Sequence, residues 1–109
     1  MNPIKVIVFK EDYLCIIAGI KEVGADIGEP DCELENPYEF VPQDDDFKGE
    51  YKERLVPWKV LNMSSDKKCR IQSDTILTLV DPEPHILQAY NELLSEWNSI
   101  LMYKWLGIS

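Results

Sequence analysis

The chain has little of what most catalytic motifs require. Its 109 residues hold five glycines, none clustered. No G-x-x-x-x-G-K-[ST], G-x-G-x-x-G or G-x-S-x-G occurs, so neither a phosphate-cradling loop nor a nucleophile elbow is encoded. There is a single histidine, His85. A zinc site built on it would need cysteines and carboxylates to converge from elsewhere, and no Cys–His spacing suggests a nucleophilic dyad. The three cysteines, Cys15, Cys32 and Cys69, are widely separated and odd in number. That excludes a C-x-x-C site or a disulfide framework and predicts reduced, structural thiols in a reducing compartment. No apolar run approaches the roughly 18 residues of a membrane span. Met1-Asn2-Pro3 leads directly into a strand-like run, not an h-region, so no secretory signal is expected. These absences predict a protein that is not an enzyme, has no catalytic or metal residues, needs no cofactor and stays in the cytoplasm, the host's if the chain is viral.

Basic charge is also scarce. The net charge is −9, with 20 acids against 11 Lys and Arg. Sequence-independent DNA binding relies on neutralising phosphates and is therefore not expected. The charge is bipolar along the chain. Residues 22–53 carry twelve acids against Lys48 and Lys52, whereas residues 54–70 carry Arg54, Lys59, Lys67, Lys68 and Arg70 against Asp66. A basic strip of this kind can meet a short RNA or the acidic face of a second copy.

What is present is apolar patterning. The hydrophobic fraction of 45% is that of a globular chain, and the length suits a single domain spanning 1–109. Ile4–Phe9 and Tyr13–Ile20 are runs apolar enough for strands buried on both faces. Asp31–Phe40 places Cys32, Leu34, Tyr38 and Phe40 on even positions, the period of a half-buried strand. Pro37 within it predicts an edge strand or a bulge. Residues 41–53 read as an exposed acidic loop. Further strands are expected at Arg54–Met63, Lys68–Ile71 and Thr75–Val80, with a turn at 64–67.

A helix over 82–106 follows, with Asp81 as its cap, Pro82 at the first helical position and Gly107 as its stop. Ile86, Leu87, Tyr90, Leu93, Leu94, Trp97, Ile100 and Leu101 form its apolar stripe. Within it, Leu87, Tyr90, Leu94, Trp97 and Leu101 also keep coiled-coil spacing, so the stripe could serve a neighbouring copy. Packing on the chain's own β-domain is the simpler expectation. A small closed barrel over 4–80, covered by the helix, would bury strands apolar on both faces and leave no free edges. The remaining apolar surface points to self-association.

Ile71-Gln72-Ser73-Asp74-Thr75-Ile76, leading into Leu77-Thr78-Leu79-Val80 and a proline turn, resembles the second signature of the Sm-like proteins. There a hydrophobic residue, Arg or Lys, Gly, a small polar residue, a variable residue and Ile turn into the last strand. Ile71, Asp74 and Ile76 match, Gln72 replaces the basic residue and Ser73 the glycine. The final strand also resembles that of the bacterial Hfq branch, without its basic-aromatic cluster. Tyr13–Ile20 with Gly19, followed by Cys32–Pro37, is compatible with the first signature. The helix departs from the family plan, being C-terminal, as does the long acidic loop. The chain is similar to a divergent, phage-encoded type of member.

The resemblance implies a mainly β fold: a small, strongly bent five-stranded Sm-like (SH3-like) barrel with a long C-terminal amphipathic helix. It implies a closed homo-oligomeric ring of about five to seven copies joined by edge strands, with Ile76, Leu77 and Leu79 at the subunit interface. It also implies single-stranded RNA read by stacking and hydrogen bonds. Asn36, Lys67, Lys68, Arg70, Gln72, Ser73 and Asp74 are the candidate contacts, and binding should be weakened because Gln72 carries no charge.

Two further features bear on function. Asp44, Asp45 and Asp46 suggest a calcium loop, but Lys48 and Leu55 fall where oxygen ligands belong. They fit better as a solvated docking loop for a basic partner. Trp58, between Arg54 and Lys59, is the tryptophan best suited to ligand contact. The second reading of the whole chain is a viral or cytosolic assembly adaptor that binds protein and no nucleic acid.

Overall fold

The computed structural model describes residues 2–41, 54–59 and 67–105, with side chains as far as residue 95. The acidic residues Asp44, Asp45 and Asp46, the second half of the strand expected at Arg54–Met63, and the side chains of Trp97, Ile100 and Leu101 lie outside the described residues. The order is β1 (Ile4–Phe9), β2 (Cys15–Glu22), β3 (Cys32–Phe40), β4 (Leu55–Pro57), β5 (Lys68–Ile71), a 3-10 turn (Ser73–Thr75), β6 (Ile76–Val80) and α1 (Pro84–Trp105). The architecture is mainly β, one antiparallel sheet with a C-terminal helix.

The sheet runs β4-β3-β2-β1-β6, with β5 also paired to β3. This order has two ends, so the expected closed, five-stranded barrel is corrected to an open sheet of six strands. The sixth arises because β4 and β5 share one edge of β3. Leu55–Pro57 lie opposite Tyr38–Phe40, and Lys68–Ile71 lie opposite Cys32–Glu35. Between them, the Trp58 amide donates to the Pro37 carbonyl and the Asn36 amide to the Lys67 carbonyl, both at 3.0 Å. The two segments therefore behave as one strand interrupted by residues 58–67.

Pro37 marks a bulge, not an edge. From Gly19↔Glu35 to Ile17↔Tyr38, β2 advances two residues while β3 advances three. The extra residue sits at Asn36, whose φ of 50° is left-handed. Asn adopts this conformation more readily than most non-glycine residues, because its short polar side chain bonds locally. One extra residue reverses the alternation. Leu34 thus joins Ile7, Phe9, Ile16, Ala18 and Ile20 on one face. Tyr38 joins Ile17, Leu55, Ala89 and Tyr90 on the other. The four even-numbered apolar positions expected on a single face are divided between two.

The first cluster collects Cys69 and Ile71 from β5 and Ile76 from β6, strands separated by β3, β2 and β1 in the sheet. The second cluster lies under the helix, which packs on its own sheet through Ile86, Ala89, Tyr90, Leu93 and Leu94. Tyr90 stands edge-on to Tyr38, with ring centroids 5.7 Å apart, and its hydroxyl donates to the Asn36 carbonyl at 2.9 Å. The helix starts two residues later than expected. Glu83, not Asp81, is its cap: the Glu83 carboxylate accepts the His85 and Ile86 amides, and its carbonyl accepts the Leu87 amide. Pro84 takes the first helical position, while Asp81 pairs with Lys5 on β1. Among the described residues no helix is long and apolar enough to cross a membrane.

Candidate functional site: the basic strip and the β5–β6 corner

Antiparallel pairing sets Lys21 and Arg70 on either side of Glu33. Since Leu34 faces the first cluster, Glu33 faces the helix side of the sheet, beyond the bulge. Its carboxylate lies 3.5 Å from Lys21 Nζ, 3.7 Å from Arg70 Nε and 4.0 Å from Lys68 Nζ. The glutamate side chain is 12% exposed and the three cations are about half exposed. One carboxylate is therefore shared by three cations. Such partly solvated pairs contribute little stability; their consequence is the field they make.

Lys68 and Arg70 of the expected contact set belong to this strip. Lys21 belongs to it too but was not expected, because its partner is twelve residues away and only the β2–β3 register joins them. Lys67 precedes β5 with a φ of 56°. Asn36 supports the bulge, with its amide and carbonyl both engaged.

The remaining expected contacts form the exposed corner between β5 and β6, where two of them bond to the β2–β3 loop. The Ser73 amide and hydroxyl donate to the Asp31 carboxylate at 2.7 and 2.6 Å. The Gln72 side-chain amide donates to the Gly28 carbonyl at 2.8 Å. Together they tie the β2–β3 loop to the corner. The Ser73 hydroxyl, followed by its amide, lowers the Asp31 pKa by stabilising the carboxylate. Ser73 is not among the left-handed residues, so the glycine of the signature is not required here. The Thr75 hydroxyl closes the turn on the Gln72 carbonyl, and the Thr75 carbonyl accepts the Lys10 amide. Asp74 is exposed on the turn.

The expected interface residues lie on β6, at one end of the sheet. Leu77 and Leu79 are 52% and 45% exposed, and Val80 is 47% exposed. Ile76 is instead half buried against the first cluster.

The other singled-out residues have structural surroundings. His85 Nδ1 is 3.0 Å from the Glu83 carboxylate at the exposed helix start. Burial, the largest cause, pushes the Cys32 and Cys69 thiols up, with nearby carboxylates adding to it; both are poor nucleophiles at neutral pH. Among the described residues no cluster of His, Cys, Asp and Glu could hold a metal ion. Trp58 packs on Phe9 at a centroid distance of 5.9 Å and borders a groove of about 1170 Å³. Tyr13, Phe40, Arg70 and Asp74 also line it.

No curated protein matches the chain. Residues 2–95 match a family of unknown function, DUF6561, and the chain belongs to that family.

Proposed function

We propose that this chain is a non-enzymatic, Sm-like, ring-forming scaffold of the cytoplasm, with weak or altered contact to single-stranded RNA. The observation that carries the reading is the pair of sheet ends. β6 ends the strand order with Leu77, Leu79 and Val80 about half exposed, and an apolar terminal strand is a template for pairing with another chain. The opposite end is the β4–β5 edge. Joining β6 of one copy to β5 of the next is a head-to-tail contact that closes by rotation, at about five to seven copies on the Sm-like plan.

Curvature supports the same reading. In a flat sheet β5 and β6 would stand four strand spacings apart, about 19 Å. They are linked only through Gln72 and a 3-10 turn, which rises about 2 Å per residue. The sheet therefore has to roll, and both ends contribute to the first core cluster. The bulge at Asn36 adds bend. Counting β4 and β5 as one interrupted strand gives five strands in the sheet, a number that supports the bent-barrel reading. RNA would meet the cations Lys21, Lys67, Lys68 and Arg70.

Size-exclusion chromatography with light scattering, read at 260 and 280 nm, tests the proposal. A discrete ring supports it, and the absorbance ratio reports bound RNA. A monomer or simple dimer defeats the ring. Loss of oligouridine affinity in a Lys67→Ala, Arg70→Ala double variant supports the RNA contact; unchanged affinity removes it.

One observation favours the second reading, a protein-binding adaptor without nucleic acid. Gln72 and Ser73 are committed to Gly28 and Asp31, and Glu33 offsets part of the basic strip. RNA-free protein, together with a partner lost on deleting Asp44–Asp46, would select it.

A further inference from the structure

We propose that the groove beside the β1–β2 turn binds a basic peptide segment of another protein, in which Lys or Arg accompanies apolar residues. The groove goes beyond the ring reading: Leu77, Leu79 and Val80 do not line it, and it shares only Arg70 and Ile71 with the β5 edge.

Three observations carry the proposal. The first is the aromatic lining. Phe9 and Trp58, tilted 34° to each other, border the groove together with Tyr13. The second is the cost concentrated at Tyr13. Asp12 and Tyr13 have φ of 55° and 50°, the pattern of a two-residue hairpin turn that glycine and asparagine occupy best. The Leu14 amide closes this turn on the Glu11 carbonyl. A tyrosine here accepts an unfavourable backbone and leaves its side chain 71% exposed. Asparagine would meet the demands of folding better, so the exposed ring points to contact with a partner.

The third is charge. Glu11, Asp12, Glu39 and Asp74 line the groove against Lys10 and Arg70, and Arg70 is already drawn to Glu33. The groove is thus net acidic and aromatic at once. Carboxylates repel the phosphates of a nucleic acid, whereas carboxylates and ring faces both attract ammonium and guanidinium groups. The volume exceeds that of the usual small-molecule pocket, about 300–1,000 Å³, and suits a peptide segment.

The test uses the full chain against a random peptide library of about twelve residues per member, displayed on yeast. Enriched sequences are then titrated by fluorescence anisotropy, with oligouridine titrated in parallel. Enriched peptides should be rich in Lys and Arg and poor in Asp and Glu. Tyr13→Asn removes the ring but suits the left-handed turn. It should raise thermal stability while weakening the peptides about five-fold. A Glu11→Lys, Asp74→Lys double variant should weaken them at least as much. Three results would overturn the proposal: no enrichment, enrichment of acidic or uncharged peptides, or binding unchanged by Tyr13→Asn. Oligouridine bound in preference and displaced by the peptides would do the same and assign the groove to RNA.

Discussion

The two halves of β3 follow the same sequence rule and end in opposite environments. In Cys32–Glu35 the Leu34 side chain enters the first cluster, and Glu33 faces Lys21, Lys68 and Arg70. In Tyr38–Phe40 the even-numbered side chains turn to the helix and join Tyr90. A single extra residue at Asn36 separates the halves. The bulge therefore divides one face of the sheet into two territories. Beyond it the face is charged and open, and before it the face is apolar and covered. Tyr90 ties the helix to this boundary through the Asn36 carbonyl.

Removing the Tyr90 ring should break the comparison most strongly. The side chain is 1% exposed and packs on Tyr38. Tyr90→Ala should cost about 3–5 kcal/mol, the range for a large buried aromatic. Urea unfolding would measure it. A cost below about 1 kcal/mol would mean that the helix contributes little to the sheet.

The bulge itself is the next test. Asn36→Val places a β-branched residue at φ 50° and should cost about 1–2 kcal/mol. Asn36→Gly should be close to neutral, since glycine adopts this conformation freely. Equal costs for the two variants would show that the Asn36 side chain, not its backbone, holds the bulge.

Tyr90→Phe separates packing from hydrogen bonding. The variant keeps the ring, loses the bond to the Asn36 carbonyl and should cost about 1 kcal/mol near neutral pH. Burial, then Tyr38 and Glu35, push the Tyr90 hydroxyl above its ordinary pKa of 10.0. Burial raises Tyr38 as well. A raised folded-state pKa gives stability that is complete below 10.0 and is lost as pH rises above it. Wild-type melting temperature should therefore fall above about pH 10, and Tyr90→Phe should fall less steeply. Parallel slopes would assign the alkaline loss to other groups.

These sites also show where the sequence was legible. β1, β5, β6 and the helix were readable because their apolar periods are local. The bulge was readable only as an alternative at Pro37. Cys32, Leu34, Tyr38 and Phe40 all fall on even positions in sequence, and the reversal exists only in the pairing with β2. The helix start was misplaced because Asp81-Pro82 and Glu83-Pro84 carry the same cap signal. Lys5, distant in sequence, takes Asp81 out of that role. In the candidate site Lys68 and Arg70 were visible as local basic charge. Lys21 and Glu33 required the register, and the internal bonds of Gln72 and Ser73 required the β2–β3 loop to fold back on the corner. Trp58 was singled out, but its aromatic neighbours come from β1 and its turn.

The smallest expected effect on stability concerns the charged half of β3. Glu33→Gln preserves shape and removes the carboxylate shared by three cations that are about half exposed. Exposed pairs are worth up to about 1 kcal/mol, so unfolding should change by less than that. The effect on ligands should run the other way. Glu33 cancels part of the field of Lys21, Lys68 and Arg70, and its removal makes the strip more positive by one charge. If RNA lies on this strip, oligouridine should bind Glu33→Gln more tightly. The salt dependence should then steepen by about 0.7 in the slope of log affinity against log salt, the value for one more phosphate neutralised on a single strand. If oligouridine affinity and slope are unchanged while stability is also unchanged, Glu33 serves only to keep neighbouring cations from repelling one another. The charged half of β3 would then be structural, and the adaptor reading would gain.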